Sequence, residues 1–263
     1  MTETQYGMKK ATHSLPERSI LVVPHKDKNL QVSYPAFGPR GYNANVTEMN
    51  KKYSHSAERP EISFREPMTS ESIAAVAYGF GSKGDVDAKR DILDPRWLQL
   101  GRIILTSEGV FANPPRDAQG NIFSDEKSLK ALLNRVTNVN GIYLAPNNVG
   151  FAPYESFTRG VQDCNTFAEG GLARLLEHTP AKMAEQLRAI ASPKNYKNGV
   201  NVWGFDSVST PVVNVASLFF SWVFDERLVV DGGGWGDGGG WGDGGGYAFG
   251  VLRSGEASAQ KSK

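Results

Sequence analysis

The 263-residue sequence predicts an α+β fold, with helices in the middle of the chain and strands toward both ends. Three observations lead to this class. An apolar, β-branched run lies near the N-terminus, helical periodicities lie in the centre, and short β-rich runs fill the last quarter. The chain is 40% hydrophobic and 22% charged, which is typical of a globular domain. We therefore expect one domain with a substantial core.

In the first third of the chain, residues 1–18 are polar and predict a flexible tail. Ser19–His25 is rich in β-branched residues and predicts a strand that Pro24 helps to end. Residues 33–68 carry many aromatic, Pro and Asn residues, which indicates long ordered loops. Thr69–Tyr78 predicts a short helix, since Thr69 or Ser70 can cap it and apolar residues recur on one face.

The middle of the chain predicts a hairpin, helices and two short strands. The hairpin is Arg102–Phe111, with its turn at Ser107–Gly109. Apolar residues at i, i+3, i+4 and i+7 predict a helix over Ser124–Val136. The remaining elements predicted here are strands at Gly141–Leu144 and Val149–Phe151 and helices at Phe167–His178 and Pro180–Ala191.

The C-terminal part predicts a series of strands, at Asn198–Gly204, Val212–Ala216, Leu218–Phe224, Arg227–Val230 and Tyr247–Leu252. Each terminal strand needs a partner for its backbone groups. We expect Ile20–Val23 and Phe249–Leu252 to pair antiparallel in one sheet. Trp203 lies between a strand and Gly204, which predicts a buried aromatic whose removal costs about 3–5 kcal/mol.

Residues 231–246, here called the Gly-rich segment, read DGGGWGDGGGWGDGGG and include eleven glycines. The segment repeats GGGWGD twice and then continues as GGGYAF. Glycine disfavours a helix at this density, and the segment has no aliphatic side chain for a core. It therefore predicts a surface loop between two strands. We expect at least one of Trp235 and Trp241 to be exposed, near Tyr247 or the aromatic residues of 205–224, in a site that needs no calcium.

The segment suits three other interpretations less well. Gly234, Gly236 and Gly239 fit GxGxxG, but a strand follows where a dinucleotide site needs a helix. A calcium β-roll repeats every nine residues, whereas Asp231, Asp237 and Asp243 recur every six. A flexible linker is the third interpretation, and the embedded tryptophans and flanking strands count against it.

Composition excludes several classes of protein. The net charge of +1 gives no sign of a nucleic-acid site. The single cysteine, Cys164, excludes an internal disulfide and a cysteine-based zinc site. Cys164 with His178 could suggest a thiol nucleophile, but no third, orienting residue is identifiable. We therefore expect no catalytic residue, cofactor or metal ion. No signal peptide or membrane-spanning run is recognisable, so a soluble protein is expected.

Several stretches together resemble a known family. They are NVWG at Asn201–Gly204, FDERLVVDG at Phe224–Gly232, YAFGVLRSGEASAQK at Tyr247–Lys261, and the earlier LVVPHKD and SYPAFGP. This pattern resembles the nanoarchaeal variable proteins of diversity-generating retroelements. The resemblance implies a C-type lectin fold with paired N- and C-terminal strands, which here carries a helical insertion around residues 124–191. It also implies adenine-directed mutation that converts AAY codons to NNY codons. Gly204–Leu252 contains no Lys, Gln or Met, residues that NNY codons do not encode.

Under this resemblance the chain divides into a tail at 1–18, a scaffold at 19–200 and a variable ligand-binding region at 201–263. The expected partner is an unidentified protein or cell-surface ligand, without nucleic acid, and the chain is expected to be a monomer. Its cellular location is left open, with display at the cell surface through a partner as one option. The variable-surface candidates are Phe205, Ser207, Ser209, Asp231, Trp235, Asp237, Trp241, Asp243 and Tyr247. The structural candidates are Trp203, Gly204, Phe249 and Gly250.

Two alternatives remain at this point. One is an oxidoreductase on the same fold, similar to the formylglycine-generating enzymes, whose chemistry relies on paired cysteines. The other is a structural or assembly protein in which the Gly-rich segment only packs.

Overall fold

The α+β class predicted from the sequence is confirmed by the computed structural model. The structure describes residues 16–56, 61–80, 97–134, 137–139, 141–145, 148–177, 186, 190, 199–221, 227–234 and 245–253. The strands, numbered in chain order, are β1 Ser19–His25, β2 Lys28–Tyr34, β3 Phe37–Arg40, β4 Phe64–Arg65, β5 Leu98–Leu105, β6 Gly109–Ala112, β7 Thr137–Val139, β8 Ile142–Leu144, β9 Gly150–Pro153, β10 Gly160–Gln162, β11 Val200–Trp203, β12 Val212–Ser221, β13 Arg227–Asp231, β14 Gly246–Ala248 and β15 Val251–Leu252. The helices are α1 Tyr42–Met49, α2 Thr69–Phe80, α3 Glu126–Leu133, α4 Cys164–Glu169 and α5 Gly171–Glu177, and a 3-10 turn covers Tyr154–Ser156.

The strands form two sheets. The larger sheet has eleven strands, with the main path β10-β11-β13-β12-β5-β6-β9-β8-β7 and with β14 and β3 attached beside β5. The smaller sheet has the order β1-β2-β15-β4. The last strands of the described chain therefore contribute to both sheets, β14 to the larger and β15 to the smaller.

The terminal strands share a sheet, but their arrangement differs in one respect from the prediction. β15 pairs antiparallel with β2, with Val251 opposite Val32, so an N-terminal and a C-terminal strand are paired as expected. The expected direct pairing of Ile20–Val23 with the last strand is wrong. β1 and β2 form a hairpin in which His25 lies opposite Lys28, and this hairpin places β2 between β1 and β15.

The main core lies between the larger sheet, α2 and α5. It includes Val23 and Val32 of the smaller sheet, Ile73 of α2, and Leu172 of α5. A second cluster is built on aromatic rings of Phe37, Tyr53 and Phe64, whose centroids lie 5.7–6.0 Å apart in tilted or edge-on contacts. Such contacts stabilise beyond the area they bury. The two sheets are thus joined by apolar packing.

Several predicted elements match the structure closely. β1 has the predicted bounds, and α2 extends the predicted helix by two residues to Phe80. The predicted hairpin corresponds to β5 and β6, which pair through Leu105 and Val110. The helix predicted from Ser124 begins instead after Asp125, whose carboxylate accepts a hydrogen bond from the Ser128 N–H.

Other predicted elements differ. The helix predicted over Phe167–His178 is divided at Gly170, whose backbone is extended. The two strands predicted at Val212–Ala216 and Leu218–Phe224 are one strand, β12, with a bulge between Ala216 and Ser217. Residues 33–68 are not only loops, since β3, α1 and β4 lie there. The helix predicted at 180–191 and the tail before residue 16 lie almost wholly outside the described residues.

Candidate ligand-binding surface

The Gly-rich segment leaves the larger sheet at the end of β13. Here three neighbouring strands place Trp203, Asp231 and Ser217 side by side, since Asp231 is opposite Trp203 of β11 and Ser217 of β12. Directly opposite residues project from the same face of a sheet. The first end of the segment is therefore fixed by the register of three strands.

Asp231 is an anchor within the fold rather than an exposed contact. It was a candidate for the variable surface, but it is only 1% exposed, so that prediction is wrong. Its Oδ1 accepts a hydrogen bond from the Gly233 N–H at 3.0 Å, and its Oδ2 lies 3.5 Å from the Ser217 hydroxyl. Gly204 lies against this carboxylate with φ of 70°, where a Cβ would approach Oδ1 to 2.7 Å. A side chain at 204 would displace the anchor.

Phe205 and Trp203 exchange the roles that the sequence predicts for them. Phe205, a candidate for the exposed surface, is fully buried and packs edge-on against Phe157 at 6.3 Å. Gly232 covers its ring so closely that a Cβ there would lie 2.7 Å from it. Trp203, predicted to be buried, is 48% exposed. Val200 and Val202 occupy the core side of β11, so Trp203 lies on the other face, at the end of the strand, where it is exposed although Asn201 on the same face is buried.

Asn214 holds the first turn of the segment. Its Nδ2 donates to the Gly232 carbonyl at 2.8 Å, and its side chain contacts Gly234. Asn214 lies on β12 opposite Ile103 of β5, two strands away from Trp203. The turn is therefore held both by Asp231, which precedes it in the chain, and by Asn214 of the neighbouring strand β12.

The second end of the segment returns beside β5. The Gly246 carbonyl accepts a hydrogen bond from Asn45 Nδ2 at 2.9 Å, and the same nitrogen lies 2.7 Å from Gln99 Oε1. The Tyr247 N–H donates to the Trp97 carbonyl at 2.7 Å, and the Tyr247 side chain is half-buried. Helix α1 and strand β5 together hold this end.

Four buried polar residues connect the two ends, and we call them the polar row: Asp231, Ser217, Gln99 and Asn45. Asp231 is opposite Ser217, Ser217 is opposite Gln99, and Gln99 contacts Asn45. Neighbouring strands are about 4.8 Å apart, so Asp231 and Gln99 lie about 10 Å apart. The polar row was not identified from the sequence. The signal that could have found it is the presence of two polar residues, Ser217 and Gln99, within largely apolar strands.

The loop at residues 204–211 follows β11 and presents exposed polar side chains. Ser207 and Ser209 are both exposed, as expected of surface candidates. Ser207 Oγ donates to the Ser107 carbonyl at 2.9 Å in an exposed contact. The Tyr154 hydroxyl donates to the Asp206 carbonyl at 2.7 Å.

Tyr154 is a neutral donor under this loop. Burial raises the pKa of Tyr154 to about 12, while the nearby Arg159 lowers it and Asp206 raises it. Arg159 and Asp206 form an ion pair at 2.8 Å on the surface, where such pairs contribute little to stability. The hydroxyl therefore keeps its proton throughout the physiological range.

The remaining site candidates divide into two groups. Trp235, Asp237, Trp241 and Asp243 lie outside the described residues, and so does the predicted exposure of the indoles. Phe249 is 1% exposed in the main core, and the Gly250 N–H donates to Ser33 Oγ at 2.9 Å. Within the described ranges, no three His, Cys, Asp or Glu side chains lie close enough together to hold a metal ion.

Comparison with known proteins gives one similarity in fold. No family model and no curated protein matches the chain. A solved structure described as "Accommodation of massive sequence variation in Nanoarchaeota by the C-type lectin fold" is similar, with 14% sequence identity and a TM-score of 0.42. The similarity covers 80% of this chain and 92% of that chain. In the part of the chain that the structure describes, no helix has the length and apolarity needed to cross a bilayer.

Proposed function

We propose that this chain is a non-enzymatic ligand-binding protein with a C-type lectin-like fold. Its binding surface comprises the 204–211 loop, Trp203 and the Gly-rich segment, and a diversity-generating retroelement varies this surface. The partner is a protein or a cell-surface ligand, and the chain acts as a monomer. Residues 19–200 serve as the scaffold and 201–263 as the variable region.

The polar row is the observation that carries this proposal. A varied surface needs a backbone that stays in place when its side chains change. Asn45, Gln99 and Ser217 are fully buried, Asp231 nearly so, and between them they hold both ends of the Gly-rich segment. Under this proposal the ends stay in place when the residues between them change.

The exposed residues beside the row suit ligand contact. Trp203 is about half exposed, and tryptophan is enriched among residues that dominate binding energy. An NNY codon does not encode Trp, so under this proposal Trp203 is a constant anchor. Ser207 and Ser209 are small and exposed, and they occupy positions where any side chain can project into solvent.

The oxidoreductase alternative has less support from the residues present. Chemistry of the formylglycine-generating type relies on two cysteines, and this chain has one. Cys164 is half-buried at the start of α4, where the Asp163 carboxylate caps the helix.

Two matched libraries test the proposal. The first carries NNY codons at three exposed positions, Ser207, Ser209 and Thr210. The second carries them at three positions of the polar row, Asn45, Gln99 and Ser217. We expect most clones of the first library to remain folded, as measured by protease resistance on display, and few of the second.

Selection then tests binding directly, with lysozyme as the probe protein. We expect the first library to yield clones that bind the probe while the parent chain does not. Equal loss of folding in both libraries would contradict the proposed division between scaffold and surface. Failure to enrich any binder from a well-folded library would contradict a binding role for this surface.

A further inference from the structure

A second candidate site lies away from the Gly-rich segment, in a cavity of about 530 Å³. It opens between the chain that precedes α2, strand β5 and the segment that follows β6. Its size falls within the range of small-molecule sites. Its lining includes apolar residues, among them Met68, Phe123, Leu132 and three prolines, and the charged residues Glu66, Arg102 and Arg116. None of the lining residues belongs to residues 201–263.

The charges of the residues that line the cavity do not cancel. Glu66 Oε2 lies 2.6 Å from Arg116 Nη2, and Glu66 Oε1 lies 3.5 Å from Arg102 Nε. One carboxylate thus faces two guanidinium groups, which leaves one positive charge among the residues that line the cavity. Arg102 is only 14% exposed, so solvent screens its charge less than it would on an open surface.

Both arginines are held in position before any ligand arrives. The Arg102 guanidinium lies 5.1 Å from the centre of the Tyr42 ring and donates to Asn43 Oδ1. Arg116 Nη1 donates to the Gly120 carbonyl at 2.9 Å. These contacts and those to Glu66 engage two N–H groups of each guanidinium, which has five in all.

We infer that this cavity binds a carboxylate carried on a short apolar group. The carboxylate balances the extra positive charge and accepts hydrogen bonds from the guanidinium groups, the geometry that favours arginine at such sites. The apolar group packs against Met68, Phe123 and Leu132. Either a free organic acid or the C-terminal carboxylate of a peptide offers this chemistry. The inference does not depend on the proposed variable surface.

Titration of the full chain with 3-phenylpropionate, followed by ligand-detected NMR and calorimetry, tests the inference. We expect saturable binding that weakens as NaCl rises from about 50 to 500 mM. The neutral 3-phenylpropionamide should bind at least about tenfold more weakly, a difference of about 1.4 kcal/mol. Equal binding of acid and amide, or no binding of the acid, overturns the inference.

Variants locate the site. Arg116→Gln should weaken binding of the acid about tenfold, whereas Arg159→Gln should not change it. Arg159 is a matched control because it is similarly exposed and also pairs with one carboxylate. If Arg116→Gln fails to fold, Leu132→Ser tests the apolar wall and should weaken binding about fivefold. Equal affinity of a folded Arg116 or Leu132 variant and the wild type overturns the assignment.

A second pair of probes distinguishes the two sources of the carboxylate. A pentapeptide that ends in phenylalanine is compared with the same peptide carrying a C-terminal amide. Tighter binding of the free-acid peptide than of 3-phenylpropionate assigns the site to peptide termini. Binding of 3-phenylpropionate but not of the peptide assigns it to small organic acids, and both results support the inference.

Discussion

Asn45→Asp replaces the amide donor that holds the second end of the Gly-rich segment with a carboxylate. The two side chains have nearly the same size, so packing is conserved while the amide donor is lost. Asn45 Nδ2 faces three acceptors, the Gln99 Oε1 and the Arg40 and Gly246 carbonyls, at 2.7, 3.2 and 2.9 Å. A carboxylate oxygen in place of Nδ2 would face these three acceptor oxygens without a hydrogen to donate, at a position that is fully buried.

The expected loss in the free energy of unfolding depends on which of the three acceptors keep another donor. The Arg40 carbonyl keeps a hydrogen bond from Gln99 Nε2 at 3.0 Å. Two acceptors, Gln99 Oε1 and the Gly246 carbonyl, lose the Asn45 donor, and each such loss in a buried site costs about 1–3 kcal/mol. We therefore expect Asn45→Ala to lower the free energy of unfolding by about 2–6 kcal/mol. Asn45→Asp should lower it further because it adds a buried charge.

Urea denaturation at neutral pH measures both variants. Thr47→Ala serves as the control, since Thr47 is exposed on the same helix and its hydroxyl only contacts the Asn43 carbonyl. The control should change the free energy of unfolding by less than about 0.5 kcal/mol. Asn45 variants as stable as the control would refute the role given to the polar row.

Three further predictions concern other parts of the molecule. Phe205→Ala should lower the free energy of unfolding by about 3–5 kcal/mol and Trp203→Ala by much less, because only the first ring is fully buried; equal denaturant midpoints would contradict this. Burial, and then a neighbouring lysine, lowers the pKa of His25 below its ordinary value, so the folded state resists protonation. Stability should therefore be complete at pH 7.5 and fall as pH drops below about 6.5, and His25→Gln should flatten that slope in chemical denaturation. Acrylamide should quench the fluorescence of Trp235 or Trp241, as judged by the signal lost in the Trp→Phe variants, and calcium chelation should not change the melting temperature by more than about 2 °C.

The sequence predicted elements best where one local signal was strong. The β-branched run of β1 and the apolar stripe of α2 both needed no distant partner to be recognised. The segment containing β3, α1 and β4 was missed because its apolar residues are mainly aromatic and lie between prolines. Helix α1 is held by distant contacts of Tyr42 and Asn45, which no local pattern reveals.

The site was predicted less well, for a related reason. The exchange between Trp203 and Phe205 depends on the face of β11 that Trp203 occupies and on Gly232, which follows β13 and closes over the Phe205 ring. Burial at the end of a strand is decided by such partners rather than by hydrophobicity. The polar row likewise appears only when β13, β12 and β5 are in register. Ser207 and Ser209, both variable-surface candidates, are exposed in the structure.

The two anchored ends of the Gly-rich segment have a consequence for its length. The ends are fixed by the sheet on β13 and β14, three strand spacings or about 14 Å apart, whereas the sequence between them repeats in units of six residues. Lengthening a closed loop from about 12 to 18 residues costs only about 0.4 kcal/mol in chain entropy. We therefore expect that whole repeats can be gained or lost without moving the polar row. Such a protein can alter how far its loop reaches, and how many indoles it carries, independently of any change at single codons.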